Sequence, residues 1–377
     1  MRCRRRRLCR CLNLIKSDLG IYVHFPFCKS KCRYCDFNSS DKNWSLEESY
    51  IDALVSEIES CGYSDEVNTV FFGGGTPTAV KLDNLIRVVE AVKGKFGTGY
   101  EEFTVECNPA TMDYEGFLRL KNAGVNRISI GLQSANYDEL AFLGRIHTFE
   151  MFLKTYNDAV RAGFDNINVD LMFSLHNQTM DKWVNTLEKV VDLKPQHISC
   201  YSLIVEEGTP FYNLKLNLPD EETDRQMYYY AVDFLAEKGY GQYEISNFAL
   251  DGYECKHNIK YWQRENYLGF GCGSSGLYNN VRLQNSYNLT DYIENNSVEK
   301  TVLSMEDAKS EHIFLGLRLT DGFDISEFNK IYNTDFKAEY CDVINKYKSL
   351  GLLEADERCR LTKMGLSVSN SIMCEFV

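Results

Sequence analysis

The sequence predicts an α/β protein, a set of parallel strands alternating with helices and followed by a smaller helical part. Three observations predict it. Six short apolar runs alternate with amphipathic stretches between residue 20 and about residue 250. The polar and glycine-rich residues gather at the C-terminal ends of those runs. From Met305 the pattern turns helical and closes on two short strand-like runs. Strands and helices alternating at this spacing call for parallel pairing with right-handed crossovers. Six units fit either an open doubly wound sheet or an incomplete (β/α)6 barrel, and both place ligands at the C-terminal ends of the strands.

The elements follow in order. The first run, 21–25, leads directly into Cys28, Cys32 and Cys35. An amphipathic stretch over 46–61 predicts a helix, and the next run, 67–72, ends in Gly73-Gly-Gly-Thr-Pro77. Glycines let backbone N–H groups approach a ligand with no Cβ in the way, although such a run also suits an ordinary strand–helix turn. A helix over 82–96 precedes the run 103–107, which ends at Glu106 and Asn108. A helix over 112–122 precedes 127–132, with Gln133 and Ser134 at its end. Helices over 137–143 and 149–162 lead to 167–173, where Asp170 stands between Val169 and Leu171. A charge there needs a partner or a ligand. A helix over 180–192, the run 197–203 and a helix over 222–238 complete the series.

Periodicity fades after about residue 247. Residues 251–290 are rich in Gly, Asn and Tyr and read as the start of a second domain. Helical patterns at 308–318, 325–332 and 338–350, strands at 351–354 and 360–362, and a last helix resemble a winged-helix shape. The expected organisation is a basic tail over 1–19, an α/β domain over 20–250 and a C-terminal domain over 251–377.

Bulk properties narrow the function. A chain of 377 residues with 44% hydrophobic content can bury a large core, which argues against global disorder. No apolar run approaches membrane-spanning length. The 14 cysteines are scattered and no secretory leader precedes them, so a reducing, cytoplasmic setting is expected. Net charge is −13, and residues 251–377 carry 14 Lys/Arg against 19 Asp/Glu, which disfavours a nucleic-acid partner. The first eleven residues hold six Arg and three Cys in no ligand spacing, and read as a disordered arm.

The cysteine triplet is the sharpest signal. Thiolates at C-x3-C-x2-C are the ligands an iron–sulfur cluster needs. Three ligands on a four-iron cluster leave one iron open to chelate the amino and carboxylate groups of a small molecule. Zinc is the alternative, but structural zinc is closed by four ligands, often as paired C-x2-C halves, and His24 or Asp36 would have to complete it. A disulfide is poorly supported. Glu106 can accept from hydroxyls or an ammonium, Gln133 can donate and accept, and Arg145 offers a fork suited to a carboxylate. Gln133 and Arg145 read equally as solvated surface residues, and the Tyr22 and Tyr34 rings beside the loop read as ordinary packing.

Together the C-x3-C-x2-C triplet, Gly-Gly-Gly-Thr-Pro of 73–77, Glu-Cys-Asn-Pro of 106–109, Ile-Gly-Leu-Gln-Ser of 130–134 and Leu-Gly-Arg of 143–145 resemble the radical S-adenosylmethionine (SAM) family. The branch resembled is that of oxygen-independent coproporphyrinogen oxidases and HemW-type haem chaperones, from about Gly20 to the C-terminus. The resemblance implies the partial (β/α)6 barrel, with a [4Fe-4S] cluster on Cys28, Cys32 and Cys35 and SAM on its open iron. It implies that Gly74, Gly75 and Thr76 hold the amino-acid and ribose portions of the cofactor. Glu106, Gln133, Arg145, Asp170, Tyr22 and Tyr34 are implied to lie close by. An electron from the cluster would cleave the sulfonium to give a carbon-centred radical, which the protein would position and seclude.

Two local features choose within the branch. The oxidases usually carry a further Cys two residues past the triplet, where this chain reads Cys35-Asp36-Phe37. His257-Asn-Ile-Lys-Tyr-Trp262 resembles the H-N-x-x-Y-W signature of the haem chaperones. A haem carrier needs an axial ligand, and His, Cys or Tyr can serve. His257 is the leading candidate, with Cys255 and Tyr261 as alternatives; otherwise His257 and Trp262 simply pin the loop. The branch usually reads Ala-His-Ser in the following glycine loop, whereas Gly269–Gly276 here has no His. The resemblance therefore implies a protein that binds haem and delivers it to a haem-requiring client, with respiratory enzymes as the suggested class. The rivals are oxidative decarboxylation of coproporphyrinogen III and a non-catalytic zinc module.

Overall fold

The computed structural model describes residues 18–295 and 297–377, so all but the last two residues of the basic tail lie outside it. The series opens with β1 (Leu19–Phe25), α1 (Glu47–Ser60), β2 (Val67–Gly74), α2 (Leu82–Phe96), β3 (Glu102–Cys107) and α3 (Tyr114–Ala123). It continues with β4 (Arg127–Gln133), α4 (Tyr137–Leu143), α5 (Phe149–Arg161), β5 (Ile167–Phe173), α6 (Met180–Val191), β6 (His197–Ser202) and α7 (Glu221–Glu237). Strands β1 to β6 pair in sequence order, all parallel. Four of the crossover helices start where a side chain satisfies a free backbone donor. Asp113, Thr148, Thr179 and Asp220 each accept from the N–H three residues on.

The side-chain alternation of the strands separates an open doubly wound sheet from a barrel. One face carries Val23, Val70, Phe72, Val105, Ile130 and Leu171, all fully buried beneath the helices. The residues between them, Thr69, Thr104, Arg127, Ser129, Asn168 and His197, are also buried but polar. A doubly wound sheet needs helices, and hence apolar residues, on both faces. A single apolar face with a polar interior is the pattern of a partial barrel, in which every second residue points inward.

The sheet does not stop near residue 250. After β7 (Gly241–Glu244) and β8 (Asn247–Ala249), which pair antiparallel beyond β6, the chain forms α8 (Lys256–Trp262). It then adds β9 (Tyr267–Phe270) in parallel to the free side of β1. Strands β10 (Ser275–Tyr278) and β11 (Val281–Asn285), then α9 (Leu289–Asn295) and β12 (Val298–Val302), extend that side antiparallel. The sheet has twelve strands, with β12 and β7 as its edges. Residues 251–290, expected to open a second domain, thus contribute β9, β10 and β11 to the main sheet. These strands span only four or five residues and carry Gly269 and Gly276, so no periodicity could mark them. A Cβ on Gly269 would lie 2.1 Å from the Ser275 carbonyl oxygen, so the close approach of β9 and β10 requires glycine.

The helical part begins with α10 (Met305–Gly316). It continues through β13 (Phe323–Asp324), α11 (Ile325–Tyr332), α12 (Phe336–Glu339), α13 (Cys341–Ser349), the hairpin β14 (Leu353–Ala355) and β15 (Arg358–Leu361), α14 (Lys363–Leu366) and α15 (Ser369–Met373). Strand β15 lies between β13 and β14, an arrangement of helices and a small sheet like the winged-helix shape expected. The unit docks through Arg318, whose Nη2 lies 3.3 Å from the fully buried Glu244 carboxylate and whose guanidinium stacks 4.3 Å above the Trp262 ring. Among the described residues, no helix is long and apolar enough to cross a membrane.

Candidate functional site

The cysteine loop is strapped across the C-terminal ends of the strands. The backbones of Cys28 and Ser40 bond to each other's side of the loop base, with Cys28 N donating to Ser40 O and Ser40 N to Pro26 O, both at 3.0 Å. Arg33 N donates to Leu143 O and its carbonyl accepts from Phe211 N. The Lys31 ammonium closes the loop by donating to the carbonyls of Phe37 and Ser39. Cys28, Cys32 and Cys35 all face one cavity of about 130 Å³. Burial raises the Cys28 thiol and pushes Cys35 up to about 11, so these groups are neutral until a metal supplies positive charge. No three His, Cys, Asp or Glu side chains among the described residues gather tightly enough to hold one ion.

The same cavity is lined by Tyr34, Gly74, Gly75, Thr76, Glu106, Gln133, Arg145 and Asp170. Of the residues the sequence assigns to the cofactor, only Tyr22 is missing from this wall. Gly75 explains the glycine run: a Cβ there would lie 2.6 Å from Phe27 O and 3.0 Å from Cys28 Sγ. Gly75 N and Thr76 N donate to Phe25 O and Phe27 O, which ties the second strand end to the cysteine loop. Gln133 has φ of 72°, a left-handed conformation that is rare outside glycine and recurs at functional sites.

Electrostatics mark the pocket for a cation. Glu106 is pushed up to about 8, by burial first and by the neighbouring Asp170 carboxylate second. Burial likewise raises Asp170, which accepts from Asn168 Nδ2 at 2.7 Å and Ser129 Oγ at 3.2 Å. Among the described residues neither carboxylate is in an ion pair. SAM carries an ammonium and a sulfonium, which suits this donor set. Arg145 reaches Cys32 Sγ at 3.5 Å, Asn108 Oδ1 at 2.8 Å and the Gly131 carbonyl, while its buried Nε has no partner. Donors of the guanidinium, the Nε–H among them, are thus left for a carboxylate at the pocket. The residues present therefore fit both cluster and cofactor.

Sequence reasoning missed the support beneath these groups. Asn168 binds His197 Nδ1 at 2.6 Å and Ser129 Oγ at 2.8 Å, and His197 Nε2 meets the Tyr243 hydroxyl at 2.8 Å. Arg127 lies within the same interior, 2% exposed. The signal was present as polar residues at every second position of β4, β5 and β6.

A second cavity of about 430 Å³ lies beside the first. Its walls include Tyr22, His24, Tyr261, Trp262, Tyr267 and Phe314, with Arg264, Arg282 and Glu311 among them. Tyr22 lines this second cavity, on β1 with its hydroxyl 3.0 Å from His24 Nδ1. His257 does not face either cavity. It is fully buried, with Nδ1 3.0 Å from Thr69 Oγ1, Nε2 2.8 Å from the Tyr261 hydroxyl, and its ring stacked on Phe71. Both ring nitrogens are engaged, so in this arrangement His257 offers no lone pair to an iron. Cys255 is buried too, with Sγ 3.3 Å from Glu102 Oε1.

Comparison with known proteins agrees with this geometry. A profile of the radical SAM superfamily matches residues 22–190, and one of the HemN C-terminal domain matches residues 303–368. The heme chaperone HemW of Lactococcus lactis subsp. lactis is 36% identical over 374 residues, spanning 97% of this chain and 98% of the relative. The heme chaperone HemW of Bacillus subtilis is 35% identical over 374 residues, spanning 94% and 98%. Among solved structures, coproporphyrinogen III oxidase (HemN) of Escherichia coli, a radical SAM enzyme, superposes with a TM-score of 0.82. It covers 98% of this chain and 93% of its own at 20% identity, a likeness of fold.

Proposed function

This chain belongs to the radical SAM superfamily and, within it, to the family of the heme chaperone HemW; from that premise we propose that it binds haem and passes it to a haem-requiring client. Cys28, Cys32 and Cys35 would hold the [4Fe-4S] cluster, and Gly74, Gly75, Thr76, Glu106, Gln133, Arg145 and Asp170 would surround SAM. When bound, these groups supply radical chemistry. The protein's own contribution is to orient them and exclude water. Glu106 and Asp170, both raised by burial, would take the cationic end of the cofactor, and Arg145 ties the cysteine loop to β4. Delivery to a client, a respiratory enzyme as the class, and a cytoplasmic setting complete the reading.

The observation that carries the haem reading is the second cavity. Its volume lies within the range of cofactor sites, roughly 300–1,000 Å³. It combines aromatic faces with two guanidiniums, a lining suited to a planar apolar molecule that bears carboxylates.

The test is anaerobic reconstitution of iron and sulfide, followed by haem titration with absorption spectroscopy and a coproporphyrinogen III turnover assay on the same preparation. Stable haem binding without turnover supports the chaperone. Turnover without stable haem binding overturns it in favour of the oxidase. A colourless protein with one zinc and no sulfide would remove both.

A further inference from the structure

The haem-chaperone signature places four side chains around one hydrogen bond. Tyr261 lines the second cavity, and its hydroxyl meets Nε2 of His257, one helical turn earlier on α8, at 2.8 Å. Nδ1 of His257 meets Thr69 Oγ1 on β2 at 3.0 Å, and Phe71 stacks against the imidazole with centroids 5.4 Å apart. With the proton on Nδ1 and donated to Thr69, Nε2 is the acceptor for the Tyr261 O–H. A phenol backed by a fixed imidazole can release its proton when an electrophile arrives at the oxygen.

Another part of the wall is cationic. Arg264 Nε and Arg282 Nη2 both donate to the single carboxylate of Glu311, at 2.9 and 2.6 Å. Two guanidiniums on one carboxylate leave one positive charge uncompensated at this point. The indole N–H of Trp262, also on the wall, is buried without a partner. A ligand that offers carboxylates, a flat apolar body and a Lewis-acidic centre would meet each of these groups.

Resting on the haem-carrier reading, we propose that the second cavity is the haem site. In it Tyr261 Oη ligates the ferric iron, His257 is the positioning residue behind it, and Arg264 and Arg282 take the propionates. Forming the iron–oxygen bond breaks the Tyr261 O–H bond. The proton passes to His257 Nε2, while Nδ1–H stays on Thr69. Tyrosine is an established haem ligand. Tyr22 has a similar partner in His24, whose Nε2 donates to the Asn38 carbonyl and whose Nδ1 accepts the Tyr22 O–H.

The test uses the full chain carrying its cluster, titrated with ferric haem and read by electron paramagnetic resonance and resonance Raman spectroscopy. Wild type is expected to show a high-spin ferric signal and an iron–phenolate vibration. Tyr261→Phe should lose the vibration, with haem affinity falling by tenfold or more. His257→Gln should keep the vibration at a shifted frequency and bind roughly 10–100-fold more weakly, the cost of removing the partner behind a metal ligand. Arg282→Gln should weaken haem while sparing the vibration. Thermal melting and cluster content of each variant separate misfolding from lost ligation. The ligand assignment is overturned if Tyr261→Phe keeps the wild-type spectrum, or if Tyr22→Phe loses the vibration in its place. Failure of the wild type to bind haem at all would instead sink the haem-carrier reading itself.

Discussion

The imidazole of His24 rests against Gly74 so closely that a Cβ on that glycine would lie 2.5 Å from the ring. Gly74 lines the cluster cavity and His24 lines the aromatic one, so at this point a single ring separates the two spaces. Motion of either ligand against this wall is felt on the other side, because neither residue has room to yield.

Gly74→Ala is therefore expected to damage both cavities. Its φ of +106° disfavours any side chain, and the added methyl meets His24. A loss of about 1–3 kcal/mol in stability is expected, with weakened binding of SAM and of haem together. Denaturant unfolding and parallel titrations of the two ligands check this. Loss of SAM binding alone would mean that the wall is not shared.

SAM affinity should rise with pH up to about 8 and then level off. The reason is that Glu106 in the empty pocket holds its proton until about 8, while a cationic cofactor favours the carboxylate. Binding at neutral pH therefore releases a proton. The sign for folding is opposite. A raised acid in the native state favours the native state at low pH, and that contribution fades as pH climbs from the usual carboxylate range to about 8. Calorimetry in buffers of different ionisation enthalpy measures the released proton. In Glu106→Gln the release should vanish.

Arg145→Lys should lower both cluster retention and SAM affinity. A lysine is a point charge and cannot reach Cys32 Sγ, Asn108 Oδ1 and the Gly131 carbonyl at once. A decrease of roughly 10–100-fold in SAM affinity is expected, as for other groups that orient metal ligands. Sulfide content after gel filtration and the cluster's paramagnetic signal with and without SAM provide the readout.

Arg318→Ala should destabilise the docking of the helical part by about 3 kcal/mol, because it leaves Glu244 buried with no counter-charge. The double variant with Glu244→Gln should recover much of that loss. Limited proteolysis near the junction at residues 303–304, together with denaturant unfolding, would detect the change. Equal stability of single variant and wild type would show that the pair contributes nothing.

The parallel strands and the cluster loop were legible because their residues are adjacent in sequence. Cys28, Cys32 and Cys35 share one loop, and the apolar positions of β1 to β6 form recognisable runs. Glu106 and Gln133 could be placed at strand ends, and Asp170 singled out within β5, because strand ends form one rim in any parallel α/β fold and a charge inside a strand needs a partner. The interior network of Arg127, Asn168 and His197 was less legible, since an alternating strand reads as polar outside as readily as polar within. The wall on which Tyr22 lies was not legible, because a residue on β1 can face either of two neighbouring spaces. His257 was singled out by residue type, yet its burial depends on β2, nearly two hundred positions earlier. Strands β9 to β12 left no trace because strands of four or five residues have too few positions to show a period.

The pairing of β1 with β9 also bears on how the chain is made. Gly20 meets Tyr267 across that ladder, so β1 keeps one side bare until almost 250 further residues have been added. At roughly 5–20 residues per second this takes tens of seconds, during which an apolar strand with an open edge is exposed to other nascent chains. Such long-range closure is intrinsically slow. Nascent-chain quality control, rather than the finished fold, is then where a weakened β9 would first do harm.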